Sequence, residues 1–262
     1  MQHETHDHEL VDAANASDIA LVTALLNSTL NVRLVGPGCD FSDTCWYINQ
    51  RGDGGISALH IAAERGNTEL VKLLLDRSAY IEVRTQKGDT PLCSAAANGQ
   101  VETAKLLLDH GHANVNAQCS EGYTPLIYAN QRNDDEMVRL LITRHAQVNS
   151  ETVRHFTSLE AAAAHGNTDL MDLLLDFGAR INSTTSDRWT ALHYAAQGGH
   201  TNAVRLLYYR RIYLDGRDIN GFTGVALAAE GGHTDTVRFA YFFSDYYDLL
   251  YLSTTSNWQV FD

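Results

Sequence analysis

Only three prolines, four cysteines and three lysines occur among the 262 residues, and each scarcity excludes something. So little proline, with 44% hydrophobic and 19% charged residues, excludes a low-complexity linker and fits a folded soluble protein. The cysteines (Cys39, Cys45, Cys93, Cys119) form no C-x-x-C pair, and no histidine spacing completes a zinc pattern. No metal site is therefore expected. Lys72, Lys87 and Lys105 are the only lysines, and the other cations are arginines, which suit planar, bidentate pairing more than diffuse polyanion binding. A formal net charge of −13 without a basic cluster excludes a nucleic-acid partner. No apolar run approaches the ~20 residues that span a bilayer, so no membrane partner is expected.

The opening MQHETHDHEL has neither a cationic nor an apolar segment, so it does not read as a secretory signal. A reduced cytoplasmic or nuclear setting is the expectation; a Cys39–Cys45 disulfide would form only in an oxidising compartment. There is no P-loop, no G-x-G-x-x-G after a strand and no G-x-S-x-G, so no cofactor is expected. His3, His6 and His8 read as part of a disordered acidic tail over 1–8, and the RGD of Arg51–Asp53 as a hairpin.

What is present is repetition. SALHIAAERGNTELVKLLL from Ser57 recurs, in altered form, from Thr90, Thr124, Thr157, Thr190 and Thr223. The steps are 33, 34, 33, 33 and 33 residues. In each copy the Ser or Thr reads as a helix N-cap and is followed by a short Ala-rich helix. Gly66, Gly99, Gly166, Gly199 and Gly232 then end that helix, with Asn133 in the remaining copy. A second helix carries the L-V-x-L-L-L stripe that buries against neighbours. A degraded copy runs from Glu9 to Leu26 and fits an N-terminal cap.

The period and the T-P-L of Thr90 and Thr124, with the His of the motif kept at His60 and His193, resemble the ankyrin repeat. The resemblance implies an all-α solenoid of about seven helix-turn-helix repeats joined by β-hairpin-like loops. Their boundaries fall near 9–34, 49–84, 85–118, 119–151, 152–184, 185–217 and 218–243, giving a repeat domain over 9–243. An insertion, 35–48, follows the first repeat, and the aromatic segment 244–262 reads as a C-terminal cap. The chain is expected to be a monomer; a dimer through the C-terminal aromatics is the alternative. The resemblance also gives His60 and His193 a structural task, bonding the cap residue and nearby backbone.

Some residues depart from this grammar. The position before the cap carries Tyr123, Phe156, Trp189 and Phe222 in four consecutive repeats. Stacked repeats would align them on the concave side as a surface for hot-spot contacts. The hairpin Gly (Gly55, Gly88, Gly122, Gly221) is replaced by His155 and Arg188, and Glu160 stands where the motif has His. A carboxylate at a normally buried position needs a partner or an altered pKa. Arg154, Asp187 and Arg132 lie near these departures, and Tyr128 and Tyr194 fill the x of T-P-L-H-x-A.

Two functions follow. The first is a non-catalytic protein-interaction scaffold binding an acidic or aromatic peptide or domain through Tyr123, Arg154, His155, Phe156, Asp187, Arg188, Trp189, Phe222, Tyr128, Tyr194 and Arg132. The second is a small-molecule binder or enzyme, with Glu160, His155, His165 and Tyr194 as acid–base groups in an aromatic groove beneath the 35–48 insertion.

Overall fold

The computed structural model describes residues 9–32 and 47–240, with side chains between 28 and 32 left aside. The tail 1–8, nearly all of the insertion and the segment 244–262 lie outside the described residues. The described chain forms two compact halves, one ending at Val153 and the other beginning at Arg154.

In the first half, the helix pairs are Glu9–Asn15 with Ile19–Val32, Ala58–Glu64 with Thr68–Asp76, Pro91–Ala97 with Val101–Asp109, and Pro125–Gln131 with Asp135–Thr143. In the second half, Ser158–His165 pairs with Thr168–Asp176 and Ala191–Gln197 with Thr201–Tyr209. Gly224–Glu230 is followed by a helical stretch over 234–240. Within each half, the first helices of successive repeats pack on one another, and each second helix packs on its own first helix. The alanines make this possible: Ala62, Ala63, Ala95, Ala96, Ala162, Ala163, Ala195 and Ala196 are all buried, and nothing longer than a methyl separates the helices there. Leu70, Leu74, Leu107, Leu141, Leu170, Leu174 and Leu207 fill the space behind them with no exposed surface, each worth ~1.5–3 kcal/mol when taken from water.

Helix starts follow the caps. The Thr90, Thr124 and Thr223 hydroxyls accept from the amides of Cys93, Ile127 and Ala226, each at 3.3 Å. Pro91 and Pro125 occupy the first helical turn, where a missing N–H costs nothing. The helix-ending position is left-handed throughout, at φ 67–72° for its glycines and 57° for Asn133.

The loops are tight and linked in series. Thr85, Cys119, Thr185 and Asp218 each donate their amide to the carbonyl four residues on. Each loop is also tied to the one before it by one main-chain bond, such as Ser120 to Lys87 at 2.8 Å and Ile219 to Asp187 at 3.0 Å. No strand forms among the described residues, only an isolated bridge between Arg51 and Ser57.

The hairpin glycine position is left-handed in every repeat. Gly55, Gly88, Gly122 and Gly221 have φ of 75–86°, whereas His155 and Arg188 sit at 56° and 61°, close to the only left-handed minimum open to a residue with a Cβ. Conformational freedom is only part of the reason for glycine. A Cβ on Gly122 would lie 2.9 Å from the Glu151 oxygen and the Thr152 Cα, and one on Gly88 2.8 Å from the Ser120 nitrogen. At Gly55, Gly88 and Gly122 the next loop presses on this point and glycine lets it approach, whereas a Cβ on Gly221 would meet nothing within 4 Å.

On the second helices, consecutive repeats exchange charges at the C-terminal end. Arg144 grips both oxygens of Asp109 (2.9 and 2.8 Å), and His110 meets Asp76 at 3.2 Å. Arg210 bonds Asp172 and Asp176. Exposed pairs such as Arg144–Asp109 contribute ~0–1 kcal/mol each and serve registry more than stability.

Candidate functional site

The motif histidines are fully committed to structure. The Nδ1 of His193 accepts the Thr190 amide at 3.1 Å, leaving Nε2 to donate to the Phe222 carbonyl at 3.2 Å. His60 repeats the pattern, accepting from Ser57 at 3.2 Å and donating to the Asp89 carbonyl at 3.0 Å. Each neutral imidazole thus closes its own cap and ties its repeat to the next. Burial holds both pKa values below the ordinary imidazole range. A lowered folded pKa stabilises the fold above the unfolded value and loses that contribution as pH falls. The melting temperature should therefore drop between about pH 7.5 and about 5.5, and replacing His193 with Gln should flatten that slope. Thermal denaturation across that range checks it; an unchanged slope would remove His193 as a source.

Glu160 performs the same capping task with different chemistry. One carboxylate oxygen accepts the Thr157 amide at 2.9 Å and also takes the Thr157 hydroxyl, while the other accepts the Ser183 hydroxyl at 2.5 Å. Its side chain is 0% exposed. Burial raises its pKa despite these donors. This corrects its expected place on a groove: the carboxylate is closed to solvent, while His155 and His165 are exposed and Tyr194 is half-buried.

In the second half, the aromatic residues before the caps gather around Tyr194. Phe156 meets its ring edge-on at 5.6 Å and Trp189 at 5.0 Å, with Trp189 also tilted over His193 at 6.0 Å. The Trp189 side chain donates to Asp218. Burial would raise that carboxyl, but the Phe222 and Asn220 amides and Trp189 together bring its pKa below the usual range. Trp189 is thus half platform and half strut. Arg154, His155, Asp187 and Arg188 are exposed on the hairpins, and Phe222 is 43% exposed.

In the first half, Tyr123 stacks on Tyr128 with ring centres 5.1 Å apart and planes 22° apart. The Tyr128 hydroxyl donates to Asp89 at 2.9 Å and lies 3.9 Å from the Cys119 sulfur. Burial, then the Asp89 charge, pushes the Tyr128 pKa upward, so the phenol remains a donor. These rings line a cleft of ≈ 550 Å³ together with Lys87, Glu121 and Gln131. Arg132 lies on the same half, exposed, reaching the Ala97 carbonyl at 3.3 Å. The expected Tyr123 and Tyr128 belong to this cleft, but Asp89, Glu121 and Lys87 escaped the sequence reading. The signal for Asp89 was its position, the one carboxylate in a column of mostly aromatic residues before the caps.

Among the described residues no cluster of His, Cys, Asp or Glu is arranged to hold a metal, and no helix is long and apolar enough to cross a membrane. A search of curated proteins returned no match. The family model for ankyrin repeats matches three times, over residues 10–119, 59–152 and 159–242. With that match and the repeated cap, left-handed turn and stacked helix pair, the chain belongs to the ankyrin-repeat family, whose repeats generally mediate protein–protein interactions.

Proposed function

We propose that this protein is a non-catalytic scaffold of the cytoplasm or nucleus that holds a peptide segment or domain of a partner on its hairpins and first helices. One observation carries this reading. Tyr123, Phe156 and Trp189 are each half-buried, held on one side by Tyr128 or Tyr194 and open on another. Rings fixed before binding lose little entropy at an interface, and aromatic residues with arginines beside them dominate binding energy. Arg154, His155, Asp187, Arg188 and Phe222 supply the polar and apolar rim in the second half, as Arg132 does in the first.

The test is a displayed random-peptide selection on the full chain, with selected peptides measured against wild type and against Tyr123→Ala, Phe156→Ala and Phe222→Ala. Trp189 is left intact because it also holds Asp218. Hot-spot truncation should weaken the selected peptides at least about tenfold for Tyr123 or Phe156, with helicity unchanged. Peptides that bind all three variants as tightly as wild type would sink this surface.

A further inference from the structure

We propose that the cleft lined by Asp89, Glu121, Tyr123 and Tyr128 is a socket for a guanidinium group, offered by an arginine side chain of the bound peptide. This rests on the scaffold reading and gives it a chemical preference that the sequence did not suggest.

Four features converge. The cleft, at ≈ 550 Å³, lies within the size range of sites that enclose small ligands and has room for one long side chain with its backbone. Two nearly parallel phenol rings line it, and a planar cation stacks favourably on such faces. One oxygen of Asp89 accepts a hydrogen bond from the Tyr128 hydroxyl at 2.9 Å, which fixes the carboxylate and leaves its second oxygen without a protein partner. Glu121 stands exposed on the lining, its carboxylate likewise unpaired.

Lys87 lines the same cleft yet makes no ion pair with either acid. Its ammonium is a hydrated point charge on a flexible stem, whereas a guanidinium offers paired N–H groups in one plane. An anionic side chain would face two carboxylates and a phenol whose hydroxyl already donates to Asp89. The net charge of −13 further draws cationic segments to the protein. The cleft therefore suits a cationic side chain better than an acidic one.

The experiment is an amide NMR titration of the full ¹⁵N-labelled chain with N-acetyl-arginine amide, its neutral citrulline counterpart and N-acetyl-lysine amide. Saturable shifts are expected at Ser120, Glu121, Tyr123 and Tyr128 with arginine, weaker ones with lysine and none with citrulline. Asp89→Asn keeps an acceptor for Tyr128, and Glu121→Gln alters an exposed group only. Each should weaken arginine binding at least about fivefold, as should added salt. If Asp89→Asn disturbs folding, Glu121→Gln alone carries the test. Equal shifts with citrulline, or arginine binding untouched by either folded variant, overturns the socket. Selected peptides that lack arginine and ignore Glu121→Gln also overturn it, yet leave the scaffold standing. Saturable arginine shifts without any selected peptide would instead support the socket and count against the scaffold.

Discussion

Replacing Glu160 with alanine is expected to cost ~2–4 kcal/mol, and replacing it with glutamine to stabilise the protein at neutral pH. The alanine variant strands the Thr157 amide, the Thr157 hydroxyl and the Ser183 hydroxyl in or beside a site with no solvent. At ~2–4 °C per kcal/mol for a chain of this size, the loss is easily seen in thermal denaturation. Glutamine keeps the shape and an acceptor for the Thr157 amide, and suits this helix position. The sign follows from burial. A carboxyl whose folded pKa lies above its unfolded value binds more protons when native. Its contribution is complete below the unfolded pKa of ~4.3 and declines as pH rises through the folded value. Glu160→Gln should therefore gain most over wild type at neutral pH and little under acid conditions. A glutamine variant less stable than wild type at pH ~7 would mean that the charged form is the better held one.

Trp189→Ala should be the most damaging change among the aromatic residues before the caps, at ~3 kcal/mol from lost ring packing alone. Its ring supports Tyr194 and His193, and its side chain donates to Asp218. Trp189→Phe separates the two roles, keeping a ring while deleting the donor. It should stabilise less than tryptophan above the carboxylate range and converge with wild type as acid protonates Asp218. That follows because a depressed folded pKa contributes above the unfolded value and is lost as pH falls. Combining Trp189→Phe with Asp218→Asn should cost less than the sum of the two, since both remove the same bond. Additive losses would separate Trp189 from Asp218 energetically.

The fold was legible because its determinants are local and recur. A cap hydroxyl, a left-handed turn and an apolar stripe announce themselves in 33-residue steps, and the alanine-rich first helices pack as their small side chains allow. Asn133 could be assigned a left-handed turn for the same reason. Glu160 was recognisable as an anomaly but not as a cap, because its partner, Ser183, lies 23 residues on at the far end of the repeat and belongs to no motif. The half-dual nature of Trp189 was hidden likewise, since Asp218 becomes visible as its acceptor only once the loops are in place. The cleft was least legible. Its lining comes from three separate stretches, and neither spacing nor residue type brings Asp89 to Tyr128 before folding does.

The ties between first helices have a further consequence for how such a chain can grow. His60 and His193 both donate to a main-chain carbonyl in the following repeat. Gln100, His200 and His233 reach carbonyls in the preceding one. A carbonyl is supplied by any residue, so a repeat joined in this way carries its own fastenings and asks for no matching side chain next door. Such a segment can be copied, deleted or exchanged and still meet its new neighbours. The fifth repeat is different: Glu160 is an acceptor, and its partner is a serine near the end of the same repeat rather than a carbonyl next door. Copied or exchanged whole, that repeat carries both members of its pair.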